Sequence, residues 1–337
     1  MKLLVRATNW VGDAVMSIPA LEAVRRAAPD AEIAVLAKPG VAGLYGGQAF
    51  VDRVLRFESA SHAAGLLRRE RFDSALLLQN AFQAAWVAWR GGVRERIGYA
   101  RDGRSALLTR AIAVPRRGET PAHEAYYYLE LVHRAGWLAE LPAIEQIHLR
   151  VEPANVERAE AALLAAGARP GAVRVALAPG AAYGTAKCWP AERFAALADR
   201  LIADADADVI LFGTDSERDV AGRIASGMRQ RPLNLAGQTP VGELAAFFAA
   251  CRVFVGNDSG AAHVAAASGV PVVVVFGPTD AEATAPLTPR RSLIREPVSC
   301  SPCLLRQCPV DHRCMTRVGV DAVYAAVRQW LEHSKRG

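Results

Sequence analysis

Short apolar runs recur along the chain, each stopping at a polar turn rich in Gly, Pro, Asn or Asp before a helix-periodic stretch begins. Leu3-Leu4-Val5 leads through Asn9, Trp10, Gly12 and Asp13 into a predicted helix from Ala14 to Ala28. Residues 32–36, 51–57 and 74–78 read as buried strands, with a further helix from 41 to 49. The second half repeats the pattern, with strands at 173–178, 209–213, 251–255 and 270–276, helices at 191–203, 217–228 and 241–250, and a last helix from 320 to 333. Apolar runs without polar alternation belong to strands covered on both faces, and parallel strands need helical crossovers. The alternation therefore predicts an α/β fold with a doubly wound, Rossmann-like parallel sheet in each half.

At 337 residues the chain is longer than one core usually serves. Two domains are expected, residues 1–150 and 151–337, crossing over in the proline-punctuated stretch 142–153. Two such sheets facing a central cleft would present the carboxyl ends of their strands to a ligand. No apolar run reaches the ~18 residues of a membrane span, and Met1-Lys2 leads straight into a strand, so a cytoplasmic protein is expected. Residues 1–150 carry 20 basic against 15 acidic side chains, and the remainder 20 against 19. An anionic partner for the first half accounts for that excess, and so does an arginine-rich solvated surface. Nucleic acid is not expected, because the basic residues are not interleaved with aromatics on one surface.

The strongest local pattern is VGNDSGAAHV (255–264) followed by FGPTD (276–280). Two adjacent strands deliver Asp258, Ser259, His263, Thr279 and Asp280 to one rim, where the N–H groups of a helix start suit an anion and the hydroxyls and carboxylates suit a sugar. Simple helix capping by Asp258 or Ser259 explains one of them and not the set. The loop PGAAYGTAKCWP (179–190) has the outline of a phosphate cradle without Walker spacing, with Thr185 and Lys187 as its candidate contacts. Lys187 reads equally as a solvated side chain before a helix. Asp204, Asp206 and Asp208 precede a strand, which makes them an exposed turn rather than a metal site. Cys300, Cys303, Cys308 and Cys314 form C-x2-C-x4-C-x5-C, a spacing open to structural zinc, to an iron–sulfur cluster or to a plain irregular loop.

Asp13 is the odd member of its turn, since a carboxylate repels phosphate and is better suited to taking a proton from a hydroxyl. Taken together, NWVGDAVMSIP (9–19), RIGYARDGRSALLT (96–109), PGAAYGTAKCWP (179–190), LFGT (211–214), NDSGAAHV (257–264) and FGPT (276–279) resemble the ADP-heptose:lipopolysaccharide heptosyltransferases of glycosyltransferase family 9, and within them the type II enzymes. The resemblance implies a GT-B architecture, with the acceptor on the first domain and the nucleotide sugar on the second. It implies inverting transfer that needs no cofactor or catalytic metal, from ADP-heptose to a lipid A–Kdo–heptose inner core at the cytoplasmic face of the inner membrane. Asp13 matches the general base, Lys187 the diphosphate contact and Asp258 the contact to heptose hydroxyls. Ser259, Gly260 and His263 match the phosphate-side turn, and Glu217 takes the position expected for the ribose hydroxyls. Asn9, Trp10, Arg96, Arg101 and Arg104, with Arg94, are expected to meet the phosphorylated acceptor. Competing readings are a related transferase with another donor or acceptor, a non-catalytic sugar-nucleotide-binding module, and an epimerase of the same two-domain plan.

Overall fold

The computed structural model describes residues 1–333. Met1–Arg150 form one compact unit, and a second begins at Val151. In the first, β1 Lys2–Arg6, β2 Glu32–Ala37, β3 Arg53–Arg56, β4 Ser74–Leu77, β5 Glu95–Tyr99 and β6 Arg110–Ile112 form a parallel sheet in the order β3-β2-β1-β4-β5-β6. In the second, β7 Arg174–Ala178, β8 Asp208–Leu211, β9 Leu233–Asn234, β10 Val253–Asn257, β11 Val272–Phe276 and β12 Arg291–Arg295 lie in the order β9-β8-β7-β10-β11-β12, again all parallel. Counted from the start of each unit the order is the same, 3-2-1-4-5-6. The winding reverses between the first and fourth strands, which opens a crevice at their carboxyl ends. That crevice lies beyond β1 and β4 in one unit and beyond β7 and β10 in the other.

The central strands are buried along their whole length, as unbroken apolar runs such as VVVVF in β11 require. Helices cover both faces. In the first unit Leu67 and Phe72 pack with Leu4, Leu36 and Leu77 of the sheet, and in the second Phe194, Leu197, Ile224, Val323 and Val327 close over β7, β8, β10 and β11. The terminal helix Val320–His333 belongs to the second unit, where Tyr324 bonds Asp204 at 2.8 Å and the Trp330 indole donates to Ser292 at 3.0 Å.

The helix expected from 14 to 28 is two helices, Val11–Met16 and Ile18–Ala27. Pro19 has no N–H to offer the carbonyl of Val15, so the first helix ends and Ser17 turns the chain. The stretch 41–49 holds only Pro39–Ala42 and the 3-10 turn Gly43–Tyr45. Helices Ala60–Glu70, Phe82–Arg90, Glu124–Arg134 and Pro153–Ala165, and the strands β5, β6, β9 and β12, are additions to the elements read from periodicity. At the crossing, both amide groups of Gln48 bracket Arg150, accepting from its N–H and donating to its carbonyl at 3.0 Å each. Asp206 and Asp208 sit at the amino end of β8, held by Arg169 at 2.6 and 2.8 Å, as expected of a turn.

The stretch around 94–104, expected to be loop that meets an anionic acceptor, is largely scaffold. Arg96 lies in β5 and donates to the carbonyls of Leu107 and Val93, each at 2.6 Å. Arg104 is fully buried; its guanidinium donates to the carbonyls of Tyr99 (2.9 Å) and Gln79 and to the side-chain oxygen of Asn80 (3.0 Å), tying the end of β5 to the end of β4. Burial pulls its pKa down to about 10. A charge spent on three internal acceptors is not on offer to a phosphate, which removes Arg104 from the acceptor surface. Arg104→Ala strands those acceptors in the interior and is expected to cost about 3 kcal/mol of the first unit's stability. Differential scanning calorimetry checks this, through a downward shift of that unit's transition.

Candidate active site

In the second unit, the loop after β7 and the turn after β10 meet beyond the β7/β10 crevice. Asn257, the last residue of β10 and fully buried, holds them together. Its amide donates to the Pro179 carbonyl at 2.6 Å and its oxygen accepts from the Trp189 N–H at 2.9 Å, so one side chain closes both ends of the 179–189 loop. Trp189 is itself sealed in the core, with its indole N–H on the Val318 carbonyl at 3.0 Å.

The loop so closed presents Lys187, the last residue of the 3-10 turn Thr185–Lys187, to Asp258. The Lys187 Nζ to Asp258 Oδ2 distance is 2.6 Å, with side-chain exposures of 12% and 4%. Thr279, beyond β11, donates to the same oxygen at 2.6 Å, and the Tyr183 ring lies 5.0 Å from the ammonium. Ser259 follows in extended conformation and helix Gly260–Ala267 begins immediately after it, with His263 buried in its first turns. Ser259 stands at the N-cap, yet its hydroxyl makes no capping bond and is buried without a partner. The plain capping explanation therefore fails for this residue, and a hydroxyl is left facing the amino end of a helix, whose N–H groups favour an anion.

Glu217 approaches from the neighbouring loop. It closes a capping box with Thr214, accepting from the Thr214 N–H at 2.7 Å, and its carboxyl lies against Gly180, where any side chain would overlap it. Thr185 is exposed at the head of the 3-10 turn. The structure thus brings Lys187, Asp258, Ser259, Gly260, His263 and Thr279 together, with Glu217 and Thr185 on the adjoining loops.

The cysteine segment 300–314 is a buttress for this site. It binds both backbone polar groups of Ala186: the Arg306 carbonyl accepts from the Ala186 N–H at 3.0 Å, and the His312 ring donates from Nε2 to the Ala186 carbonyl at 2.7 Å. Tyr183 donates to the Leu304 carbonyl at 2.7 Å, the Leu304 N–H to Pro278 at 2.8 Å, and the Ser301 hydroxyl to Gly277 at 2.6 Å. Gly184 has no side chain because the Arg306 carbonyl occupies that space. The segment is stapled to the Lys187 loop on one side and the Thr279 loop on the other. Its cysteines are free thiols, exposed at Cys300, Cys303 and Cys308 and buried at Cys314. Among the described residues no three His, Cys, Asp or Glu side chains group to hold a metal ion.

In the first unit the equivalent crevice holds Asp13. It sits in the first turn of Val11–Met16, and its Oδ1 accepts from the Tyr128 hydroxyl at 2.7 Å. Asn9 beside it takes a bond from Arg6 at 2.8 Å, and Trp10 is half exposed at 51%. Arg101 is exposed and donates to the Tyr127 hydroxyl at 3.2 Å, which in turn accepts from Asn80 at 2.9 Å. Tyr128 and Glu124 stand outside the quoted motifs, and Asn257 was given no role within its own. Their signal was present in EAYYYLEL (124–131), where an acid and a tyrosine share one helix face, and in the Asn that precedes Asp258.

Two parallel units of 3-2-1-4-5-6 order, each with a polar site at its reversal point, are the building blocks of GT-B glycosyltransferases. The chain belongs to glycosyltransferase family 9 (heptosyltransferase), whose sequence model matches residues 62–313. It is 28% identical over 312 residues to lipopolysaccharide heptosyltransferase 2 of Escherichia coli K12, covering 88% of each chain. It is 29% identical over 315 residues to lipooligosaccharide heptosyltransferase 2 of Haemophilus influenzae, again 88% of each. The solved ADP-heptose LPS heptosyltransferase II of E. coli superposes with a TM-score of 0.86 at 26% identity, over 99% of this chain and 100% of that one.

Because Asn257 closes the Lys187 loop from both ends, Asn257→Ala is expected to loosen it selectively. Amide hydrogen exchange should rise by an order of magnitude or more across residues 181–189, for a loss of about 2 kcal/mol in local opening. Exchange in β1 serves as the unaffected reference.

Proposed function

We propose that this glycosyltransferase moves L-glycero-D-manno-heptose from ADP-heptose to the heptosyl–Kdo–lipid A inner core of lipopolysaccharide, with inversion at the anomeric carbon. The observation that carries the reading is the Lys187–Asp258 pair beside the helix start at Ser259, a buried cation and a partnerless hydroxyl at the reversal point of the second sheet. The names of the E. coli and H. influenzae relatives support the choice of sugar and acceptor.

In this reading the second unit holds the donor. Lys187 has three N–H donors and spends one on Asp258, so the others are directed to the diphosphate. The N–H groups at Gly260 and Ala261, with the Ser259 and Thr185 hydroxyls, share that charge. Asp258 and Thr279 receive the heptose hydroxyls, and Glu217 the ribose. The first unit holds the acceptor, with Trp10 as an apolar face for a sugar ring and the exposed Arg94 and Arg101 for its phosphates. No helix among the described residues is long and apolar enough to cross a membrane. We place the reaction at the cytoplasmic face of the inner membrane, where such an acceptor presents its sugars.

The reaction is one displacement. The acceptor hydroxyl gives its proton to Asp13 as its oxygen bonds to the anomeric carbon. The bond from that carbon to the diphosphate oxygen breaks on the opposite face, and its electron pair leaves with ADP. The transition state carries positive charge on the sugar ring, so a carboxylate near the attacking oxygen helps by accepting the proton and by stabilising that charge. Lys187 and the helix start stabilise the negative charge that appears on ADP. No cofactor is assigned.

Mass spectrometry of truncated lipopolysaccharide cores incubated with ADP-heptose tests the reading. A gain of one heptose on the singly heptosylated core is expected; transfer only from another nucleotide sugar, or release of nucleotide without an acceptor, discards it. Asp13→Asn should keep ADP affinity while turnover falls by about 10²–10⁴. Lys187→Ala should weaken ADP binding in calorimetry at least tenfold. It should also lower the melting temperature, since Asp258 is then buried with its cation gone.

A further inference from the structure

Resting on the assignment of Asp13 as the base, we propose that Tyr128 and Glu124 are positioning residues that set the basicity of Asp13 from opposite directions, one by a hydrogen bond and the other by its charge. Tyr128 and Asp13 are 115 residues apart in sequence and meet because helix Val11–Met16 packs on Glu124–Arg134. The Tyr128 hydroxyl reaches Asp13 Oδ1 at 2.7 Å and the residue is 5% exposed, its ring held edge-on against Tyr127 at 5.8 Å. Glu124 lies four residues earlier in the same helix, so it stands on the same face, one turn away.

A base for a sugar hydroxyl must be ionised when the acceptor arrives and still basic enough to take a proton. A phenol donating to the carboxylate stabilises its charged form and fixes its orientation. A second carboxylate nearby works against that charge and keeps the proton affinity up. The two effects appear on the partners as well. Burial first, then the charge of Asp13, pushes the Tyr128 phenol upward, and partial desolvation followed by Asp13 pushes the Glu124 carboxyl upward, with Arg101 pulling the latter back. Tyr45, in the 3-10 turn after Pro39–Ala42, has its phenol pushed up by burial and also by the charge of Asp13, while Arg6 of β1, lowered to about 10 by burial, acts on Tyr45. Neither lies on the Glu124–Arg134 helix, so changes at 124 and 128 leave them in place.

The test is the pH profile of kcat/KM with ADP-heptose and the heptosylated core for two variants. Tyr128→Phe keeps the ring and removes the donor. The acid limb should move to higher pH by about one unit, and kcat at neutral pH should fall about tenfold with the donor KM unchanged. Glu124→Gln removes the charge, so the acid limb should move the other way, to lower pH. General weakening of the fold does not shift the limb in opposite senses, and an unchanged calorimetric transition of the first unit, which carries both residues, verifies that each variant is folded. If Tyr128→Phe does not fold, the Glu124→Gln shift alone decides. Acid limbs that stay at the wild-type position overturn the inference. Full turnover by Asp13→Asn instead overturns the assignment of the base, a separate failure read in a separate variant.

Discussion

A lysine and an aspartate, each almost shut off from water, meet at 2.6 Å beyond the ends of β7 and β10. Burying two such charges costs several kcal/mol per ion, and their attraction offsets that only where further hydrogen bonds complete the arrangement. Here Thr279 adds a second donor to the same carboxylate oxygen, and the positive end of helix Gly260–Ala267 begins two residues on. The second unit can be understood as the apparatus that makes this pair tolerable. The parallel sheet delivers Asp258 to the reversal point, Asn257 shuts the opposite loop on itself, and the 300–314 segment holds Ala186 by both polar groups. An ammonium fixed in this way needs little reorganisation to meet an anion.

The sheet plan was legible because buried parallel strands write themselves as unbroken apolar runs, and β1, β2, β4, β7, β8, β10 and β11 all do so. The edge strands β9 and β12 and the short β6 were not, since partial exposure dilutes the run: RSLIR carries an arginine at each end and RAI one at its start. Helix limits shifted wherever a backbone rule outweighed periodicity, as at Pro19. In the second unit, Lys187, Asp258 and Thr279 were readable as candidates because each follows a strand through a polar turn. That they share one oxygen atom was not readable, because it depends on the loop path that Asn257 imposes.

The first unit shows the opposite balance. Asp13 could be picked out by its misfit to a phosphate turn, whereas its partner Tyr128 sits in a helix with no motif at all. The arginines misled for a simple reason: charge counts do not distinguish a guanidinium on the surface from one consumed by backbone carbonyls. Arg104 is among the most deeply buried large side chains of the protein, and its donors tie the carbonyls at the ends of β4 and β5 together.

The 300–314 segment is largely exposed side chain by side chain, and it is ordered by hydrogen bonds to the chain around it more than by apolar burial. Elements held in this way contribute little heat-capacity change when they open and detach at lower free energy than the core. Its release would unclip Ala186 while both sheets stayed intact. The order of the Lys187 loop is therefore shared between Asn257 and a strap fastened more than a hundred residues downstream, outside the apolar core of the domain that carries it.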